Sequence, residues 1–238
     1  MDNAIVIGAS SGIGRELAAV LSKSGYAVGL TGRRLHLLQE LQDTLPGPAF
    51  IQSMDVSDTS EAMRLLKELI DRMGGVDLVV ISAGTGFINP DLDWAKERDT
   101  IDVNVSGFAA MANVAFRHFL NARRGHLVGI SSIAAIRGGT DAPAYNASKA
   151  FVSNYMEGLR IQARKARLPI FVTEILPGFV DTAMAQGEGL FWVASPQNAA
   201  RQIFEAVRRK TSRAYVTRRW RLVAWLLRFL PFSLYARL

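Results

Sequence analysis

Short apolar runs alternate with longer amphipathic stretches along the whole chain, and this alternation constrains the fold more than any other feature. The runs are Ala4–Ile7, Ala27–Thr31, Ala49–Met54, Leu78–Ile81, His126–Ser131 and Ile170–Leu176, with a short one at Ala214–Val216. Helical patterns fill the stretches at about 12–24, 35–43, 58–73, 94–122, 145–167 and 196–209. Aliphatic runs separated by helix-length segments predict an α/β fold. Its sheet is parallel and doubly wound, with about seven strands joined by right-handed crossovers and helices on both faces. No linker, repeat or low-complexity segment interrupts the pattern. Residues 1–217 therefore read as one domain, and 218–238 as a basic, apolar helical extension.

Composition excludes several classes of function. The net charge of +7 suggests a nucleic-acid partner at first sight, but residues 201–238 hold ten Arg and Lys against one acid, Glu205. The rest of the chain is close to neutral, so the charge belongs to the tail and no nucleic-acid site is expected. The chain has no cysteine, which excludes disulfides and thiolate metal sites and fits a reducing compartment. Its three histidines, His36, His118 and His126, are scattered without metal-ligand spacing. Met1-Asp2-Asn3 leads straight into the first apolar run, which is not the basic start and long apolar core of a leader. The expected location is the cytoplasm.

Between the first strand and the first helix stands Gly8-Ala9-Ser10-Ser11-Gly12-Ile13-Gly14. Glycines at that point let backbone approach a pyrophosphate, whose charge would sit against the helix N-terminus. A glycine cluster on its own is equally a tight turn, and position tips this one toward a dinucleotide. The second strand ends in Thr31-Gly32-Arg33-Arg34. An acid there would hold the adenosine ribose hydroxyls and repel a 2′-phosphate. Two guanidiniums favour the phosphate instead, and so NADP over NAD, although a basic turn can also be merely solvated. Asp55-Val56 after the third strand either meets the adenine edge or starts the next helix. Ser82-Ala83-Gly84 is a small-residue turn after the fourth strand, and Pro177-Gly178 turns out of the sixth, bringing Val180 and Thr182 toward the nicotinamide end.

The chemistry is expected between Ser131 and Lys149. Tyr145 and Lys149 are four residues apart, so a helix puts them on one face one turn apart. An ammonium beside a phenol favours the phenolate, which predicts a tyrosine pKa lowered toward neutrality and a group able to exchange protons. Ser132, at the end of the fifth strand, can hold a carbonyl oxygen against that phenol. Asn104 lies within a helix, where an asparagine is usually a satisfied core or kink residue.

In this order, Gly8-x-x-x-Gly12-x-Gly14, Asp55-Val56, Ala83-Gly84, Asn104, Ser132, Tyr145-x-x-x-Lys149 and Pro177-Gly178 make the chain resemble the short-chain dehydrogenase/reductase family, to about residue 217. The resemblance implies a Rossmann-like fold and hydride exchange between a nicotinamide and a carbonyl or secondary alcohol. It makes Tyr145 the proton donor or acceptor and Ser132 the group that orients the carbonyl. Lys149 would lower the tyrosine pKa and bind the nicotinamide ribose, while Asn104 would hold a water in the proton relay. Gly32 falls where an acid marks NAD-preferring members, and Arg33 where a basic residue marks NADP-preferring ones. Homodimers or homotetramers through the helices at about 94–122 and 145–167 are implied as well. Ile7 and Ser82 depart from the family pattern, which has Thr and Asn there. Two alternatives stay open: a ketoreductase for 3-oxoacyl groups on an acyl carrier protein, and an NADP-sensing protein without turnover.

The substrate loop is expected at about 183–194, where Met184, Leu190, Phe191 and Trp192 either cover an apolar, lipid-like substrate or pack on the domain. Ser195-Pro196 then starts a helix. In the tail, the longest uncharged apolar run before Arg228 is Leu222–Leu227, far short of the roughly 20 residues that span a bilayer. Its Trp, Leu, Phe and Arg suit a helix lying in a membrane interface. The competing readings are a helix closing an oligomer interface and one packed over the substrate pocket.

Overall fold

The computed structural model describes residues 1–182 and 191–237. Its seven strands are β1 (Asn3–Ile7), β2 (Ala27–Gly32), β3 (Ala49–Ser53), β4 (Leu78–Ile81), β5 (Gly125–Ile130), β6 (Ile170–Pro177) and β7 (Arg213–Val216). They form one parallel sheet in the order β3-β2-β1-β4-β5-β6-β7. The order reverses at β1, so β1 and β4 leave a crevice between them at their carboxyl ends, where ligands of such sheets bind. The helices that follow in the chain are α1 (Gly12–Lys23), α2 (Leu35–Thr44), α3 (Thr59–Arg72), α4 (Trp94–Ile101), α5 (Phe108–Ala122), α6 (Pro143–Ala166), α7 (Pro196–Arg208), α8 (Trp220–Phe229) and α9 (Phe232–Tyr235).

The strand period of two divides the core into two layers. Ile5 and Ile7 face one side with Val79, Ile81 and Leu127, packed by Leu66, Met111 and Met156 of α3, α5 and α6. Ala4 and Val6 face the other with Val80, Val128 and Ile175, packed by Leu17, Leu21 and Ile203 of α1 and α7. Both β1 faces are fully buried, and each such aliphatic side chain contributes on the order of 1.5–3 kcal/mol. Local signals set the helix starts. Asp58 caps α3 by accepting from Glu61 N at 3.2 Å, Pro143 opens α6, and Ser195 caps α7 by accepting from Asn198 N at 3.2 Å.

Two elements differ from expectation. The stretch 94–122 is not one continuous helix, because a π-helical turn, Asp102–Gly107, separates α4 from α5. Such a turn inserts one residue and re-aims the side chains inside it. A short 3₁₀ turn, Ile133–Ile136, also follows Ser132. Of the substrate loop, Met184 and Leu190 lie outside the described residues, and the part from Phe191 onward lies within them.

Candidate active site

The nucleotide end of the cleft is held together by close backbone approaches. Gly8 has φ of 91°, and a Cβ there would lie 2.5 Å from the amide nitrogen of Ala83. A Cβ at Gly14 would lie 2.1 Å from the carbonyl oxygen of Gly8. The glycine turn, the start of α1 and the Ser82–Gly84 turn therefore fit only without side chains at these points. Ser11 precedes α1 without capping it, and no acid stands in the first turn. The N-terminal amides are left for an anion, and Ser10, Ser11, Gly12 and Ile13 line the cleft there. Gly14 does not line it, and its role is the packing of helix on strand.

The two arginines have different partners. Arg33 stands 3.8 Å from Asp55 with two thirds of its side chain in solvent. Arg34 donates to Ser10 Oγ at 2.9 Å and to Ser11 Oγ at 2.8 Å, which ties the second strand's turn to the first. Gly32 lies under Ser10, where a Cβ would come 3.4 Å from its hydroxyl. Two serine hydroxyls and two guanidiniums thus border the place where a ribose phosphate would sit. Of the two readings of Asp55, the helix-start one is not met. Its carboxylate accepts from Ser57 N and Oγ in a local turn, and Asp58 caps the helix. Asp55 and Val56 both line the cleft.

The cleft has a volume of about 560 Å³, within the range of small-molecule sites. At its far end it is lined by Ser132, Tyr145 and Lys149, with Ala83, Gly84, Pro177, Gly178 and Val180, while Thr182 stands against the glycine turn, 3.1 Å from where a Gly12 Cβ would lie. The Ser132 hydroxyl accepts from Ala134 N at 3.1 Å and stands close enough to the Tyr145 phenol to favour its ionised form. Lys149 Nζ donates to the carbonyl of Ile130 at 3.1 Å and lies 5.6 Å from the centre of the Tyr145 ring. A Cβ at Gly84 would come 3.3 Å from that ammonium, so the small-residue turn leaves room for it.

The expected lowering of the tyrosine pKa is corrected by burial. Desolvation pushes the Tyr145 phenol above its ordinary 10, and the neighbouring Ser132 hydroxyl pulls less strongly the other way. The same desolvation pushes Lys149 down to about 8. In this pocket each group is held toward its neutral form, because burial penalises whichever charge would appear.

Asn104 does not line the cleft. It is buried behind Gly84, where Oδ1 accepts from Thr85 N at 2.8 Å and Nδ2 donates to Thr85 O at 2.7 Å and to Ser148 Oγ at 3.0 Å. Three of its four hydrogen-bonding positions are used. The π-helical turn gives it this aim. Asn104 thereby ties the small-residue turn to α6, one residue before Lys149.

Of the three readings of the tail, the one that packs it at the substrate pocket is met by Trp220, although the sequence did not single out that residue for this role. Trp220, 2 % exposed, lies over Gly178, where a Cβ would be 2.0 Å from the indole. The glycine of Pro177-Gly178 is thus required by the tail as much as by any cofactor. Trp220 also stacks on Phe191 at 5.0 Å and meets Phe179, a cleft-lining residue, edge-on at 5.3 Å. Of the two readings of Phe191 and Trp192, packing is the one found, although both rings stay half-exposed. At the other end of the tail, Arg137 donates to Leu230 O at 3.0 Å and lies over the Tyr235 ring, whose hydroxyl donates to Gly138 O. The 3₁₀ turn after Ser132 is therefore clasped from outside by α8 and α9 and from inside by Asn146 of α6, which donates to Ala134 O and Arg137 O. No short spacing links residues 137 and 235, so no sequence pattern could have announced this contact.

Comparison with known proteins places this geometry among relatives. The family described as short chain dehydrogenase matches residues 2–190. A Myxococcus xanthus protein described as an uncharacterised oxidoreductase is 40 % identical over 186 residues, covering 76 % of this chain and 73 % of its own. One from Staphylococcus epidermidis with the same description is 36 % identical, covering 77 % and 80 %. Among solved structures, a variant of actinorhodin polyketide ketoreductase with NADPH is similar at 30 % identity and a TM-score of 0.71, covering 77 % of this chain and 72 % of its own. A short-chain dehydrogenase from Streptomyces avermitilis gives 25 % and 0.80, covering 90 % and 88 %.

Proposed function

The chain belongs to the short chain dehydrogenase family, as an oxidoreductase acting on alcohol and carbonyl groups, and from that premise we propose an NADPH-dependent reductase of an apolar, lipid-like carbonyl that works in reverse on the secondary alcohol. The observation that carries this reading is the convergence of Ser132, Tyr145 and Lys149 on one cleft that Arg33 and Arg34 also line. Bound NADPH supplies a hydride to the carbonyl carbon. Ser132 orients the carbonyl oxygen, and Tyr145 gives it a proton as it becomes an alkoxide. A phenol that burial keeps protonated starts in the state a reduction needs. The Lys149 ammonium then stands close enough to stabilise the phenolate left behind, and its remaining N–H groups suit the nicotinamide ribose. Asn104, which the resemblance would have hold a water in the proton relay, instead positions the small-residue turn against α6 through Thr85 and Ser148.

The absence of an acid at Gly32 and the placement of Arg33 and Arg34 support NADP over NAD, as does the NADPH in the ketoreductase structure named above. Phe87, Ile88 and Phe179 along the cleft support an apolar substrate. A homodimer or homotetramer through α5 and α6 fits the family, and residues 218–238 are a candidate for peripheral membrane contact from the cytoplasmic side. A second reading, reduction of carrier-bound 3-oxoacyl groups, is favoured by that same polyketide ketoreductase at 30 % identity. One panel tests both: free apolar ketones, their alcohols and carrier-bound 3-oxoacyl groups, scored by NADPH absorbance with NADH in parallel. Consumption with free ketones is expected. Consumption only with carrier-bound groups selects the second reading, and NADPH binding without consumption anywhere defeats both in favour of a sensing protein.

A further inference from the structure

Helix α8 has two apolar faces, of which the domain covers one. Trp220 and Ala224 are buried inward, whereas Leu222, Trp225, Leu226 and Phe229 lie between 55 and 68 % exposed. Their i, i+3, i+4, i+7 spacing makes them one outward stripe. The Trp225 and Phe229 rings lie 5.3 Å apart along it, and Phe232, 78 % exposed, continues it into α9. Arg221 and Arg228 flank one edge of the stripe, two turns apart, and neither has an acidic partner among the described residues. Among the described residues no helix is long and apolar enough to cross a membrane.

We propose that this outer face seats on an anionic lipid surface, bringing the substrate end of the cleft against the bilayer so that the carbonyl substrate is drawn from it. What enters the cleft rests on the reductase reading above, and the surface itself does not. The stripe's large apolar residues suit insertion of about 5–10 Å at the level where acyl chains meet headgroups, with the arginines left among the phosphates. A second copy of the chain fits the stripe less well. Antiparallel two-fold pairing across it would bring the arginine edges of the two copies together. Glu205, the one acid in residues 201–238, is already bonded to Arg218 at 3.0 Å.

The inner face of the same segment fixes the direction of approach. Trp220 backs the cleft-lining Phe179, and Leu230 and Tyr235 hold the turn that follows Ser132. The half-exposed Phe191, Trp192 and Val193 adjoin Trp220 at the same end. A surface that seats α8 and α9 therefore lies alongside the substrate end, and the exposed arginines of the nucleotide end are at the other.

The test is flotation of the full chain with phosphatidylcholine vesicles and with vesicles containing phosphatidylglycerol. It is run beside Trp225→Ser/Phe229→Ser, with turnover of a water-soluble ketone and of a long-chain ketone dissolved in the vesicles. Binding to the anionic vesicles is expected to be on the order of 10-fold or more tighter than to neutral ones and to weaken with added salt. The double variant should lose flotation and turnover of the vesicle-borne ketone while keeping turnover of the soluble one. No flotation of the full chain, equal flotation of the variant, or a variant that changes only the oligomeric mass in light scattering overturns the proposal. Retention by an acidic carrier protein without flotation overturns it in favour of a protein partner. Flotation lost in the variant, with no ketone turned over by either chain, upholds the lipid surface and defeats the reductase reading instead.

Discussion

At the nucleotide end of the cleft the charged groups stand in solvent, whereas at the substrate end the one ammonium is buried. Arg33 exposes 66 % of its side chain and Asp55 41 %, at a separation of 3.8 Å, a surface pair worth at most about 1 kcal/mol. Lys149 is 5 % exposed, and Tyr145 lines the same pocket. The first arrangement costs folding almost nothing and gains its energy only when a phosphate arrives. The second destabilises the empty pocket's charges in advance, which prepares them for a reaction that moves charge. On the proposed reading, specificity for the cofactor and capacity for chemistry would be built at opposite ends by opposite means.

The largest test of this contrast is Tyr145→Phe, which keeps the ring and removes the proton. Turnover should fall by at least the ~10²–10⁴-fold ascribed to a positioned acid or base, while NADPH binding by fluorescence titration stays nearly unchanged. Wild-type turnover would mean that the substrate end does not work through this phenol.

Lys149→Met comes next, and its two effects should run in opposite directions. The native pKa of about 8 lies below the ordinary 10.5. Between those values the unfolded chain binds more protons than the native one, so native stability rises with pH across the window. Below pH 8 the adverse contribution is complete, on the order of 3 kcal/mol. The Met variant should therefore melt higher than wild type at pH 7 and lose turnover. Its stability advantage should close between pH 8 and 10.5. No advantage at pH 7 would show that the ammonium is well solvated and that the two ends differ less than their burial suggests.

Arg33→Ala probes the exposed end. It should weaken NADPH much more than NADH, by about 1.5–3 kcal/mol for a lost charge-assisted bond, and leave thermal stability within about 0.5 kcal/mol of wild type. Equal losses for both cofactors would mean that Arg33 does not read the 2′-phosphate, leaving that role to Arg34.

The nucleotide end was legible because its parts are neighbours in sequence: a strand, a glycine turn and a helix start within residues 3–14, then an arginine pair closing the next strand. The seven strands were legible for the same reason, since period and composition are local. Ser132, Tyr145 and Lys149 could be read because their spacing survives into α6. The pKa of Tyr145 could not be read, because the sign depends on burial, and spacing alone sees only the neighbouring charge. Asn104 was found as a residue but not in its setting, since one inserted residue in a π-helical turn leaves no compositional mark. The tail was least legible. Its charge and aromatics were plain, yet the partner of Trp220 is a glycine 42 residues earlier, and that of Tyr235 is a carbonyl at Gly138.

That last contact gives the smallest and most discriminating prediction. Besides Trp220 against Gly178 and Phe179, the tail reaches the chemistry through the turn after Ser132. There Arg137 bonds Leu230 O and stacks on Tyr235, and the Tyr235 hydroxyl donates to Gly138 O. Tyr235→Phe keeps the ring under the guanidinium and removes one hydrogen bond, worth about 0.5–1.5 kcal/mol. If the turn's position sets that of the Ser132 hydroxyl, part of this loss should appear in kcat with a soluble ketone, as a decrease of about 2–10-fold at unchanged NADPH affinity. If the hydroxyl only anchors the tail, the melting temperature should drop slightly and kcat should not move. Arg137→Lys, which keeps the charge and loses the planar stack, should follow the same pattern in the first case. A kcat unchanged in both variants would leave the substrate end supported by α6 alone, through Asn146, and would confine the tail's part to Trp220 and the wall behind Phe179.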